Sequence, residues 1–202
     1  DAAHLKAREL LIDESLPIPL PDAGGFGVAA LHGATADLVS ARVTASNGTG
    51  IFVFDAGTQL RATATIVDST RSDTKSGIGG VGVVVGTSAR ADLQGVRLWR
   101  NHAMGLGVEG FGANAHANGL LIDDTMAQAS DGNGGWGIGV ISTGHAEVSD
   151  VRIVAARAAG VSVAHAGSVF VGHRILVEGT LPEELSGDNG EGLHVQVGAR
   201  AE

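Results

Sequence analysis

The residues best equipped for acid–base chemistry in this chain are Asp123, Asp124 and Asp131, its densest carboxylate group within one stretch. Cleaving a glycosidic bond takes two or three clustered carboxylates, one of them with a raised pKa. Counterparts at a sequence interval of 55 do not keep that character: Asp13 and Glu14, Asp68 and Ser69, and Glu178 and Gly179 hold the first two positions. The first acid therefore reads as the end of a strand, capping the backbone of the loop that follows. A second ionic set is periodic. Asp37, Asp92 and Glu147 recur at that same interval, and so do Arg42, Arg97 and Arg152. A catalytic site should break a repeat, whereas solvated positions follow it. These columns read as an outward face of neutralising charge pairs, each of small energetic value.

Other chemistries find less support. Asp131-Gly132-Asn133-Gly134 and Asp188-Asn189-Gly190 carry hard oxygen donors of the kind calcium takes. Neither has the alternating loop with a closing bidentate Glu, and the nonapeptide calcium repeat is absent, so both read as turns. No cofactor is expected, with calcium as the alternative. The histidines (His4, His32, His102, His116, His145, His165, His173 and His194) share no repeat column and form no helical i, i+4 pair, so no metal site is expected. There is no cysteine, which removes thiol nucleophiles and thiolate sites. Gly77-Ile78-Gly79-Gly80 is followed by no helix or Lys-Ser/Thr and is not a phosphate cradle. Trp99 and Trp136 can each stack a sugar ring, and they join Asp123, Asp124 and Asp131 as the candidate ligand-binding residues. Trp99, in a column with Thr44 and Val154, is expected to pack under a neighbouring loop. No catalytic residue is assigned.

What positions these residues is a glycine element. Gly25-Phe26-Gly27-Val28-Ala29-Ala30 returns as Gly80-Val81-Gly82-Val83-Val84-Val85, then as Gly135-Trp136-Gly137-Ile138-Gly139-Val140, then as Gly190-Glu191-Gly192-Leu193-His194-Val195, always at the interval of 55. Columns Val28/Val83/Ile138/Leu193 and Ala30/Val85/Val140/Val195 flank freely varying positions, the period of two that marks a strand with one buried face. A second element holds Ala36/Ala91/Ala146 and Leu38/Leu93/Val148, then a kink and Val43/Leu98/Ile153. A third starts at Gly50/Gly105/Gly160. A fourth holds Ala62/Ala117/Gly172 and Ile12/Val67/Ile122/Val177. Long polar segments follow it at Leu16–Gly24, Arg71–Gly79, Met126–Gly134 and Leu181–Asn189. Each interval thus contains two strand circuits, a short one from Gly27 to Gly50 and a longer one with an inserted loop.

Units 5–59, 60–114, 115–169 and a partial 170–202 predict one domain over 1–202. The fold class expected is all-β: a right-handed single-stranded parallel β-helix, a solenoid of about seven coils. The pattern is entered and left inside a unit, so a fragment of a longer array is expected, with end-to-end self-association through open strand edges. Stacking predicts inward columns of similar size and turn glycines with positive φ. The outward column Leu11/Ile66/Leu121/Leu176 is apolar throughout, so the loops are expected to fold back over it, with Leu16, Met126, Leu181 and Trp136 as anchors.

Gly135-Trp136-Gly137-Ile138-Gly139-Val140, Val151-x-Ile153, Gly160-Val161-Ser162-Val163 and Leu120-x-Ile122-Asp123-Asp124-Thr125 resemble the right-handed parallel β-helix repeat proteins. This is the pectate-lyase-like superfamily in its repeat-rich, secreted or surface-anchored bacterial form. The resemblance covers essentially the whole chain and is informative on fold rather than on function. For polysaccharide lyases it implies acidic calcium ligands beside an Arg or Lys base; here both residue types recur in every unit, which speaks against a site. The expected function is a non-catalytic structural or adhesive rod at the cell surface or outside the cell, its partner a polysaccharide or cell-surface component. The alternative is a carbohydrate-active β-helix enzyme with a site beside the long loops. A formal charge of −9 argues against a nucleic-acid partner. No apolar run reaches the roughly 20 residues of a membrane span.

Overall fold

A computed structural model describes residues 2–16, 25–187 and 189–202. The loop expected at Leu16–Gly24 and the turn at Asp188 therefore fall largely outside the described residues. The described chain is all-β and contains no helix. It begins with β1 (His4–Arg8) and β2 (Leu11–Asp13), followed by β3 (Gly25–Ala30), β4 (Thr35–Val39) and β5 (Arg42–Thr44). The same order returns in β6 (Gly48–Val53), β7 (Gln59–Thr63) and β8 (Ile66–Asp68), and in β9 (Val81–Val85), β10 (Arg90–Gln94) and β11 (Arg97–Trp99). It returns again in β12 (Met104–Glu109), β13 (Asn114–Asn118) and β14 (Leu121–Asp123). Two longer strands then run through the bend that earlier circuits break: β15 (Trp136–Ile141) leads to β16 (His145–Val154), and β17 (Ala159–Ala164) to β18 (Val169–Glu178). The chain closes with β19 (Glu191–Gln196) and β20 (Arg200–Ala201).

Every pairing is parallel, and the strands form two sheets in a solenoid-like stack. Sheet B contains β3, β6, β9, β12, β15, β17 and β19. Sheet A has two limbs, one built on β1, β4, β7, β10 and β13 and the other on β2, β5, β8, β11 and β14, joined because β16 and β18 belong to both. In sheet B, Val28 pairs with Ile51 across the short circuit, and Ile51 pairs with Val83 across the long one. Val83 to Leu106 and Leu106 to Ile138 repeat those two steps.

The core lies between the sheets, and most of its columns are packed by likeness: Val28, Ile51, Val83, Leu106, Ile138 and Val161 follow one another in sheet B, and Val43, Val67, Leu98, Ile122 and Ile153 in sheet A. One inward column of sheet A reads Leu5, Ala36, Leu60, Ala91 in register, while its neighbour reads Ala7, Leu38, Ala62, Leu93. Over these four circuits each supplies one large and one small side chain and the next swaps them; the exchange ends at Ala115 and Ala117, both small. The expectation of similar sizes in a column thus holds elsewhere and fails in these two columns. Comparing positions at the interval of 55 skips every second member of a stack, and between Ala36 and Ala91 the skipped member is the complementary Leu60. Leu38, Leu60, Leu93, Ile122, Val140 and Ile153 are all at most 1% exposed.

The turn glycines Gly33, Gly57, Gly112 and Gly167 take the expected positive φ, whereas another corner largely does without glycine. At the bend between the limbs of sheet A, Glu9, Ser40, Ala64, Asp150 and Arg174 take φ of 49–53° and share the column with Gly95 and Gly119. Left-handed backbone costs a non-glycine residue roughly 1 kcal/mol. It is held here because the ladder of hydrogen bonds runs on through the corner: Ser40 N–H donates to Thr63 O, Ala64 to Gln94 O and Gly95 to Asn118 O at 2.8–2.9 Å. The second glycine of each Gly-x-Gly, by contrast, is not left-handed. Gly137 is there for space, since a Cβ on it would lie 2.5 Å from Gly160 O and 2.6 Å from Ile153 Cγ2, and Gly105 of the third element is held alike, 2.7 Å from Gly137 O and Ile122 Cγ2.

Candidate functional site

The outer surface of sheet A is ionic, and its pairings differ from those read in the sequence. On the first limb Lys6, Asp37, Arg61, Asp92, His116 and Glu147 follow one another in register, so cationic and acidic residues alternate circuit by circuit. On the second limb the order is Leu11, Arg42, Ile66, Arg97, Leu121, Arg152 and Leu176. The aliphatic column expected to be bare is thus interleaved with arginine stems, which cover apolar surface while keeping their heads in water. No loop among the described residues acts as its lid: Leu11 is 65% and Leu176 50% exposed, and the proposed anchors Leu16 and Leu181 are exposed themselves.

The arginines reach acids one circuit further on, rather than the Asp37/Asp92/Glu147 column. Arg42 donates through Nε to Asp68 Oδ2 at 2.9 Å, and Thr44 Oγ1 donates to Asp68 Oδ1 at 2.6 Å. Arg97 lies 3.5 Å from Asp123, and Arg152 Nε donates to Glu178 at 2.8 Å. Asp123 is therefore a ladder partner. Asp124 has φ 54°, caps the corner as its residue type allows, and lies 3.7 Å from Arg100. Trp99 is half-buried and pairs in register with Asp68 and Asp123. The Arg97 guanidinium sits 4.9 Å from its ring centroid and that of Arg100 5.8 Å away, a cation–π stack along the surface.

Asp131 belongs to the loop. Its Oδ1 accepts the Asn133 backbone N–H and its Oδ2 the Asn133 side-chain amide, both at 3.0 Å, so it closes a turn. Asp73 does the same in the preceding loop, where the Ser76 N–H above all holds its carboxyl below the usual range. The loops pack on one another: Gly79 N–H donates to Gln128 Oε1 at 3.0 Å and Ala129 N–H to Ser72 Oγ at 3.2 Å. Among the described residues no group of three or more His, Asp or Glu could hold a metal ion.

Trp136 lies elsewhere, on the outer face of sheet B. The five expected residues thus separate into a sheet A group (Trp99, Asp123, Asp124), a loop turn (Asp131) and a sheet B ring (Trp136). Phe26 stacks on Phe52 at 4.9 Å between centroids, and Phe52 on Phe54 at 5.5 Å. Further along, Met104 pairs in register with Trp136. Both lie flat because glycines leave room: a Cβ on Gly139 would meet Met104 Sδ at 2.6 Å and Trp136 Cε3 at 3.1 Å. The loops wall a hollow of about 430 Å³ here, with Val81, Ala103, Met104 and Trp136 among its floor and Gln128 and Glu183 among its walls. Met104, Gln128 and Glu183 were not singled out in the sequence. The signal available was the column Thr49/Met104/Ala159, which keeps no residue type.

Two more polar features complete the surface. Glu109, at the end of β12, carries a carboxyl that burial pushes up. Ser162 pairs in register with His194, whose Nδ1 bonds to Glu191. That aligns a hydroxyl, an imidazole and a carboxylate, but Ser162 is 2% exposed and closed to a substrate.

No protein-family model and no curated protein matches the chain. Among solved structures it is similar to a TibC-catalysed hyper-glycosylated TibA fragment, at 11% identity over 98% of this chain and 86% of that one. The TM-score is 0.14, too low for the likeness to carry an argument.

Proposed function

We propose that this chain is a right-handed single-stranded β-helix of about seven coils on a repeat of two circuits, related to the pectate-lyase-like superfamily. In this reading it serves as a non-catalytic structural or adhesive rod of a secreted or cell-surface bacterial protein. The observation that carries the reading is the repetition of the ionic face. Arg42–Asp68, Arg97–Asp123 and Arg152–Glu178 occupy equivalent places in successive repeats, so the charged groups nearest to chemistry are engaged in the ladder itself. A fold of this kind hosts many activities, and function must be argued from such particulars.

The test is to incubate the purified chain with acidic and neutral polysaccharides, with and without calcium. The rod reading expects retention on a polysaccharide or cell-surface fraction and no new reducing or unsaturated ends. Release of either product sinks it in favour of a carbohydrate-active enzyme.

A further inference from the structure

We propose that the hollow over Trp136 and Met104 is a binding site for a small organic cation of the alkylammonium class. Its volume, about 430 Å³, falls within the range of small-ligand sites. The floor is an indole face beside a thioether, held flat by the absence of a side chain at Gly139. An indole face attracts a cation through its quadrupole, and more strongly where water is partly excluded. The charge around the hollow has one sign. Among the described residues Glu183 is the only charged one lining it. The strands β3, β6, β9, β12, β15 and β17 contain a single ionisable residue, Glu109 on the same face as Met104. Its carboxyl is influenced by burial and by no cation.

The hollow suits a sugar less well. A saccharide asks for several free donors and acceptors, and the rim has few. Gln128 Oε1 already accepts the Gly79 N–H, and the Asn133 amide is bound to Asp131. What remains is apolar and aromatic, beside the Glu183 carboxylate, which accepts the Ser186 hydroxyl at 2.8 Å and keeps its charge. The site stands apart from the rod reading and survives its failure.

The experiment follows Trp136 fluorescence in a Trp99→Phe background, which leaves one indole as reporter. The probes are tetramethylammonium, its neutral counterpart tert-butanol, and cellobiose. Saturable quenching by tetramethylammonium at about millimolar concentration is expected, with tert-butanol at least about tenfold weaker. Glu183→Gln, in an exposed loop, should weaken the cation about tenfold while leaving the melting transition in place. In the Trp99-containing protein, Trp136→Ala should abolish binding, read by calorimetry. Equal binding of tert-butanol, binding of cellobiose instead of the cation, an unaffected Glu183→Gln variant, or no saturable response would each overturn the proposal.

Discussion

The two sheets meet water differently. The outer face of sheet A is a lattice of charges, with Lys6, Asp37, Arg61 and Asp92 succeeding one another and arginines reaching acids on the next circuit. The outer face of sheet B is ringed and aliphatic, with one ionisable residue over its first six strands before Glu191 and His194 on β19. Phe26, Phe52, Phe54 and Trp136 lie on that face, whereas Phe170 is the aromatic residue in the core. Sheet A's outside is regular because stacking imposes it: like charges a strand apart repel, so each circuit must answer the last. Sheet B's outside changes from Phe26 to Val81 to Trp136 to Glu191, and stacking demands no such sequence. A surface that the fold leaves free is the better place to seek recognition.

Five variants sharpen the contrast between what stacking dictates and what it leaves free. Val140→Asp, at a fully buried rung of sheet B, should cost about 4 kcal/mol or more and abolish the cooperative transition in urea. An unchanged transition would contradict the inward assignment. Gly105→Ala should cost about 2–3 kcal/mol, because its Cβ meets backbone oxygen as well as Ile122. On the ionic face, Asp68→Asn should cost about 1–2 kcal/mol, since the Asp68 side chain is 4% exposed and holds both Arg42 and Thr44. Asp123→Asn should cost less than about 0.5 kcal/mol, its side chain being 31% exposed and the contact long. Equal losses at the two positions would show that burial does not grade this ladder. Ala64→Gly should change stability by less than about 1 kcal/mol, relief of left-handed strain offsetting the freer unfolded chain.

Glu109 gives a pH test on sheet B. Its folded pKa is raised above the ordinary value of 4.5 by burial, so between the two values the folded chain keeps a proton that the unfolded chain has lost. The contribution to stability is full below 4.5 and is lost as pH rises through the folded value. Glu109→Gln should therefore stabilise the protein at neutral pH and flatten its stability profile just above 4.5. A steeper profile in that variant would remove Glu109 from the apolar face.

Parallel all-β architecture was legible in the sequence because inward positions such as Val83, Ile138 and Val140 recur with period two at a fixed interval. The partners within the stack were not. Neighbours such as Val28–Ile51, Ala36–Leu60, Leu5–Ala36 and Ile51–Val83 are separated by four different sequence intervals, all well short of the full repeat. A column read at the full repeat compares residues two strands apart, roughly 10 Å. That is why Leu11/Ile66/Leu121/Leu176 looked like a bare apolar stripe and why Asp37 was matched to the wrong arginines. Trp136 was legible as the place where the repeat varies. Met104 and Glu183 were not, because what joins them to it is the packing of the loops and a vacancy at Gly139, neither of which has a spacing.

The exchange of large and small residues governs how such a chain can lengthen or shorten during its history. Loss of the circuit that carries β7 would set Leu38 on Leu93, Ala36 on Ala91 and Asp37 on Asp92, crowding one column, hollowing the next and opposing two acids. Loss of the following circuit as well would bring Leu38 to Ala117 and Asp37 to His116, matched once more. Over these first circuits, loss or gain in pairs is the change that keeps the packing. This part of the array therefore has a parity, one that ends where Ala91 stacks on Ala115 and Ala115 on Ala146.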